Sequence, residues 1–197
     1  MKRAFDFIVS LLMLILLSPL FLIIGIIILL DGGTPVIFRQ YRVGKDNKLF
    51  YIYKFRTMRQ GTRNTSTGEL TESDSCITKS GKILRKLSLD ELPQLVNILN
   101  GSMSFVGPRP LIPEEKEIRQ LRKDYNVYSV RPGMTGLAQI NGRDDLGIEE
   151  KALFDKEYVE KQSFLLDIKI LFKTVAVVLK REGISEGGEA DNIHRLG

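Results

Sequence analysis

The sequence predicts a mixed α/β domain of the α+β type that follows an apolar segment able to enter a membrane. Residues 7–30 form a run of 24 residues without a charged side chain. Short segments rich in aromatic and β-branched residues come next and predict strands, and stretches with one apolar face predict helices. The chain has 197 residues, which is enough for one domain with a buried core.

The composition divides the chain into three parts. Residues 1–31 hold the apolar run, residues 32–183 have the composition of a globular domain, and residues 184–197 form a polar tail. We therefore expect a membrane-associated segment, one folded domain and a frayed end.

The apolar run is compatible with two modes of membrane insertion. A helix of this length measures about 36 Å and can cross a hydrocarbon core of about 30 Å. A re-entrant hairpin that enters and leaves on one face is the alternative, because Ser18 and Pro19 divide the run and proline interrupts helical hydrogen bonding. Basic residues flank both ends, so charge gives no crossing direction. The run is too long for a cleaved signal peptide.

The secondary structure of the domain can be predicted in order along the chain from periodicity and turn residues. Strands are predicted over 36–38 and 49–55, with a turn at 44–47. Loops are predicted over 60–76, 101–113 and 130–142, the last with a short strand. Helices are predicted over 79–99 with an interruption, and over 114–125, 148–162 and 164–181.

One cysteine and one histidine restrict the chemistry of the domain. Cys76 alone cannot form an internal disulfide or a cysteine-rich zinc site. His194 lies three residues from the C-terminus, which argues against histidine metal sites and a Ser-His-Asp triad. Acid–base or nucleophilic work would therefore fall to Asp, Glu, Lys, Tyr, Ser or the single cysteine.

The positive charge is concentrated just after the apolar run. The formal net charge is +5, and residues 39–63 carry eight basic side chains against one acid, Asp46. A local excess of this size predicts an anionic partner, such as a phosphate, an acidic lipid or a nucleic acid.

Asp90 and Glu91 are the most specific candidates for catalysis. The ordinary interpretation is a helix N-terminus capped by Asp90, with Pro93 inside the first turn. The same geometry also suits chemistry, because a helix dipole would lower the pKa of Asp90 and keep it ionised. An ionised Asp can attack phosphorus, and paired acids can hold Mg²⁺ through oxygen.

Several basic residues lie beside rigid turns or at the end of a predicted strand. Each of them alone is more often structural. Together with the acid pair and the apolar segment, they predict a phosphate-rich substrate at a membrane surface. The candidate phosphate contacts are Lys54, Arg56, Arg85, Arg109, Arg131 and Arg143.

Five ordered blocks resemble the bacterial sugar transferases, and more narrowly the small monotopic phosphoglycosyl transferases. The similarity runs from about residue 2 to residue 183. The blocks are FRQYRVG at 38–44, KFRTM at 54–58, RKLSLDELPQ at 85–94, SFVGPRP at 104–110, and RPGMTG with QINGR between 131 and 143.

The resemblance implies a reaction. The donor would be a UDP-sugar, the acceptor undecaprenyl phosphate, and the products undecaprenyl-diphosphosugar and UMP. Mg²⁺ and the acid pair would carry the chemistry, with Asp90 as the nucleophile and Glu91 supporting the metal or the substrate position. No nucleic acid partner is expected, and a homo-oligomer is compatible with this interpretation.

The resemblance also implies a topology. It makes a re-entrant helix broken at Ser18 and Pro19 the preferred interpretation of the apolar run. The protein would then be monotopic, on the cytoplasmic face of the inner membrane, with a compact α/β catalytic unit and helices lying on the membrane plane.

A membrane-anchored basic module that binds acidic lipid or nucleic acid without catalysis is the alternative function. It predicts salt-sensitive binding that does not depend on Asp90. A scaffold subunit of a polysaccharide assembly complex would likewise tolerate loss of the acid pair.

Overall fold

We analysed a computed structural model of the protein, in which residues 1–59, 76–142 and 145–180 are described, with side chains up to Val177. The predicted loop at 60–76 falls almost entirely outside these residues, as do Arg143 and the tail at 184–197. The helices within them are Lys2–Leu16 (α1), Ser18–Gly32 (α2), Lys79–Lys86 (α3), Gln94–Asn100 (α4), Lys116–Asp124 (α5), Leu137–Ile140 (α6), Ile148–Lys161 (α7) and Phe164–Lys180 (α8). The strands are Ile37–Val43 (β1), Leu49–Phe55 (β2), Ser104–Val106 (β3) and Gly133–Thr135 (β4).

The apolar run forms two helices whose axes are bent by 61° relative to each other at the break. The break falls where Ser18 and Pro19 predict it, because Pro19 has no N–H to donate to the Ile15 carbonyl. The Ser18 hydroxyl donates a hydrogen bond of 2.8 Å to this carbonyl and so satisfies it. In the part of the chain that the structure describes, no single helix is long and apolar enough to cross a membrane, whereas α1 and α2 qualify together as a bent pair.

The two helices of this pair have different surfaces. Helix α1 buries the polar side chains of Asp6 and Ser10 and packs on α4. Helix α2 is apolar on all sides and buries only Ile24 and Ile28. An apolar surface is therefore left exposed on α1, α2 and α8. Its large side chains are Phe7, Ile8, Leu11, Leu12, Ile15, Leu16, Leu22, Ile23, Ile26, Ile27, Leu29, Leu30, Phe164, Leu165, Phe172 and Val175.

Two small sheets hold the domain together. Strands β1 and β2 form the predicted antiparallel hairpin, paired from Ile37 with Phe55 to Val43 with Leu49. Strands β3 and β4 pair in parallel. Strand β3 lies inside the segment predicted as a loop, because three residues are too short to give a periodic signal.

The hydrophobic core lies between α1, β2, α4, β3, α7 and α8. Because α1 packs against this core, the apolar segment is part of the fold and not a detached anchor. The buried residues of the core are Ile52, Leu95, Ile98, Met103, Phe105, Val106, Tyr158 and Ile170.

Three glycines allow the segments around β3 and β4 to approach closely. A Cβ atom at Gly107 would meet the Arg131 carbonyl, and one at Gly133 would meet the Gly107 amide nitrogen. A Cβ atom at Gly136 would meet the Gly107 carbonyl. This close approach fixes the start of the chain segment that continues through Pro108 to Arg109.

Candidate active site

The acid pair lies between α3 and α4, in a short 3₁₀ turn that spans Leu89–Glu91. The predicted helix start at Asp90 is wrong, because α4 begins at Gln94. Ser88 precedes the turn in a left-handed conformation, with φ of 54°. Pro93 stands directly before the first residue of α4, where its missing N–H costs no helical hydrogen bond.

Glu91 is held by two cations from different parts of the fold. Lys54 Nζ, near the end of β2, lies 2.8 Å from Glu91 Oε1. Arg109 Nη2, on the loop after β3, lies 2.8 Å from the same oxygen. One carboxylate oxygen therefore joins the hairpin to the loop.

Asp90 is buried and lies within the electrostatic influence of three cations, Lys54, Arg85 and Arg109. Arg85 reaches the site from α3, where its Nε donates a 2.9 Å hydrogen bond to Thr57 Oγ1. Three positive and two negative side chains leave one net positive charge. A site of this charge is complementary to a bound phosphate group.

The two acids differ in pKa. Burial raises the pKa of Asp90, which Lys54 opposes and the negative charge of Glu91 reinforces. The lowering expected from a helix dipole is therefore wrong, since Asp90 is not at the end of an α-helix. Burial also acts to raise the pKa of Glu91, but Arg109 and Lys54 outweigh it and hold that pKa far below its usual range.

Two of the remaining predicted phosphate contacts, Arg56 and Arg131, make hydrogen bonds to backbone carbonyls. Arg56 is buried and donates to backbone carbonyls at the end of α2, those of Gly32 and Thr34 at 2.5 and 2.6 Å and that of Gly33. Arg131 Nε donates to the Gly101 carbonyl at 2.8 Å. These contacts favour structural roles for both arginines. Arg143 lies outside the described residues.

Arg42 is a neighbour of the site that the sequence did not single out. Its guanidinium donates to Gln40 Oε1 at 2.9 Å and to the Pro110 carbonyl at 3.4 Å. Burial and the adjacent Arg109 lower the pKa of Arg42 to about 10. The only signal in the sequence was its membership of the block at 38–44.

Arg122 and Asp155 act on the site through the backbone of Arg109, and sequence reasoning did not identify them either. Arg122 on α5 is buried, and its Nη1 donates a 2.8 Å hydrogen bond to the Arg109 carbonyl. Asp155 on α7 is buried against Arg122. Charged residues are ordinary on helices, so nothing local distinguished this pair from solvent-exposed charges.

Comparison with known proteins identifies the family. The family model of the bacterial sugar transferases matches residues 1–181. The chain therefore belongs to the bacterial sugar transferases, and it is a phosphoglycosyl transferase.

Some relatives are similar in length to this chain, and others are longer. The chain is 43% identical over 186 residues to the sugar transferase EpsL of Bacillus subtilis (strain 168), a match that covers 94% of this chain and 91% of EpsL. It is 40% identical over 198 residues to the exopolysaccharide production protein ExoY of Sinorhizobium fredii (strain NBRC 101917 / NGR234), with 92% and 87% covered.

A longer relative is the UDP-glucose:undecaprenyl-phosphate glucose-1-phosphate transferase of Escherichia coli (strain K12). The chain is 43% identical to it over 182 residues, which are 89% of this chain but 39% of that protein.

Proposed function

We propose that the chain transfers a phosphosugar from a UDP-sugar to undecaprenyl phosphate and releases UMP. The observation that carries the proposal is the buried carboxyl of Asp90 in a site with net positive charge, next to an ion-paired Glu91. The names of the relatives support the substrates and a role in exopolysaccharide synthesis. Membership of an enzyme family also favours this function over a basic module without catalysis.

The proposed reaction consists of two displacements at one phosphorus. First, a carboxylate oxygen of Asp90 attacks the β-phosphorus, and UMP leaves with the bridging oxygen as the old bond breaks. Second, a phosphate oxygen of undecaprenyl phosphate attacks the same phosphorus, and the bond to Asp90 breaks. The carboxylate is restored, and the two substrates use one site in turn, which gives ping-pong kinetics.

The cations have different access to a substrate. The Arg109 side chain is 46% exposed, against 20% for Lys54. A diphosphate that enters the site therefore meets Arg109 first, and the planar guanidinium suits two phosphate oxygens. Lys54 stays with Glu91 and keeps that carboxylate ionised beside Asp90.

Mg²⁺ is the cofactor that suits the donor atoms of this site. Asp90 and Glu91 would hold it through carboxylate oxygens, and the described residues bring no third His, Cys, Asp or Glu to the pair. Mg²⁺ is commonly bound by one or two carboxylates together with substrate phosphates and water. When bound, the ion offsets the negative charge of the diphosphate.

Intact-mass measurement tests whether Asp90 is the nucleophile. Incubation with a UDP-sugar and Mg²⁺, without the lipid acceptor, is expected to release UMP and add one phosphosugar to the protein at Asp90. Asp90→Asn is the matched control and is expected to give no adduct. A phosphosugar on another residue would contradict Asp90 as the nucleophile, and initial rates that require a ternary complex would contradict the covalent route.

We also propose that α1 and α2 enter the cytoplasmic leaflet as a re-entrant hairpin. The bend of 61° and the exposed apolar surface of α1, α2 and α8 support this topology. Both ends of the pair would then lie on the cytoplasmic side.

Cysteine labelling in intact cells tests the topology. Ala4→Cys and Lys45→Cys, each in a Cys76→Ser background, are expected to react with an impermeant maleimide only after the membrane is opened. Replacing Ser18 with Ala and Pro19 with Leu straightens the helix, so one site should then become accessible from outside. Reaction of one site from outside in the unmodified hairpin would show a spanning helix.

A further inference from the structure

Helix α7 contacts the backbone of the chain segment that carries Arg109. Asp155 and Tyr158 are three positions apart on this helix, so their side chains lie on the same face. The Tyr158 hydroxyl lies 3.0 Å from the Val106 carbonyl oxygen and 2.8 Å from Asp167 Oδ1. Tyr158 is therefore in contact with the backbone three residues before Arg109.

Arg122 provides the second contact. Its Nε and Nη2 lie 2.8 and 2.5 Å from Asp155 Oδ2, and its Nη1 lies 2.8 Å from the Arg109 carbonyl oxygen. The Arg122 and Asp155 side chains are 5% and 2% exposed. One guanidinium thus joins α5, α7 and the backbone of the residue whose own side chain contacts Glu91.

Almost half of the Arg109 side chain is exposed, so packing constrains it only in part. Its place at Glu91 depends on where its backbone is held. The flanking Pro108 and Pro110 fix their own φ angles, the Gly133 amide donates to the Pro108 carbonyl at 2.9 Å, and Arg122 donates to the Arg109 carbonyl. The fold therefore determines the location of this cation through several backbone contacts, of which the one from Arg122 falls on Arg109 itself.

We propose that Arg122, paired with Asp155, is a positioning residue that sets Arg109 at the acid pair. The inference rests on the proposed function. A buried ion pair is weak evidence for stability, since well-packed apolar residues of similar volume often do as well. Arg122 Nη1, however, donates to the Arg109 carbonyl. An apolar pair could not replace this hydrogen bond.

A double-mutant cycle tests the proposal, with UMP release from a UDP-sugar as the readout. Arg122→Lys keeps a positive charge for Asp155, but a single ammonium cannot reproduce the fork that also binds the Arg109 carbonyl. We expect kcat/KM to fall by on the order of tenfold, as for other residues that orient a reacting group. In an Arg109→Ala background, the same substitution is expected to cost less than about twofold, because the side chain it positions is gone.

Arg119→Lys is the matched control on the same helix. Arg119 donates to the Pro113 carbonyl at 2.6 Å and to Asn47 Oδ1 at 3.3 Å, away from Arg109. This control is expected to change kcat/KM by the same small factor in both backgrounds. If Arg122→Lys costs the same factor in both backgrounds, or costs nothing in a folded protein, the positioning role is wrong.

The paired replacement Arg122→Met with Asp155→Leu gives a second test if Arg122→Lys fails to fold. It removes the donor to the Arg109 carbonyl without leaving a buried charge unpaired, and the same non-additivity with Arg109→Ala is expected. Additive effects here would also overturn the proposal. A wild-type protein that releases no UMP would contradict the proposed function instead, which separates the two failures.

Discussion

Two groups of buried charge in this protein are built differently. Around the acid pair, three cations face two acids, and the side chains are partly open to solvent. Arg122 and Asp155 form a one-to-one pair that is closed to solvent. The first group has an unbalanced positive charge and is open to a substrate. The second group has no net charge and is closed to solvent. Burial of charge alone therefore does not identify a site, whereas unbalanced charge with access does.

Replacing the acid at the centre of the open group should give the largest effect on activity. Asp90→Asn removes the nucleophile, and we expect turnover to fall by at least about a thousandfold. The midpoint of thermal unfolding should not fall, because burial already disfavours the charged form of Asp90 and Glu91 continues to pair with the cations. UMP release and a thermal melt measure the two quantities. Loss of stability together with activity would show that Asp90 is mainly structural.

The same substitution in the closed group should have the largest effect on stability. Asp155→Asn leaves the Arg122 charge buried without a counter-ion, and we expect a loss of about 3–5 kcal/mol in the free energy of unfolding. A paired replacement, Arg122→Met with Asp155→Leu, should recover most of it. Its activity should nevertheless remain low, because the Arg109 carbonyl has lost its donor. Failure of the apolar pair to recover stability would contradict this comparison.

A pH profile should show the smallest and most specific effect. Because burial raises the pKa of Asp90 in the protein without Mg²⁺, its carboxyl should take up a proton with a midpoint above the ordinary value of 3.8, which an NMR titration of the carboxyl carbon without Mg²⁺ measures. Arg85 acts to lower that pKa, so Arg85→Gln should move the midpoint to higher pH. Arg119→Gln should leave the midpoint unchanged. A midpoint that does not respond to Arg85 would assign the titration to another group.

Most of the fold could be predicted from the sequence where a pattern repeats over several turns. The hairpin follows from its aromatic and β-branched residues and the turn between them, the longer helices follow from helical periodicity, and the break in the apolar run follows from Pro19. The three-residue strands β3 and β4 depend on contacts between distant segments. No local pattern could locate the first of them.

The site was predictable to the extent that its residues lie in short motifs. Lys54, Arg85 and Arg109 do meet at the acid pair, although their roles toward phosphate stay predictions. The capping role predicted for Asp90 was wrong, because residues Leu89–Glu91 form a 3₁₀ turn and α4 begins only at Gln94. Arg122 escaped prediction because its importance comes only from a tertiary contact with the Arg109 carbonyl.

The glycine contacts between β3 and β4 have a consequence for mutational scanning. Alanine at Gly107, Gly133 or Gly136 would place a methyl group against backbone atoms that have no room to move apart. Such positions would score as intolerant as Asp90 in a screen for activity, although they carry no reactive group. Loss of activity in a library therefore cannot rank residues of this enzyme by chemistry. Measuring protein abundance alongside activity would separate glycines that fail to assemble from acids that fail to react.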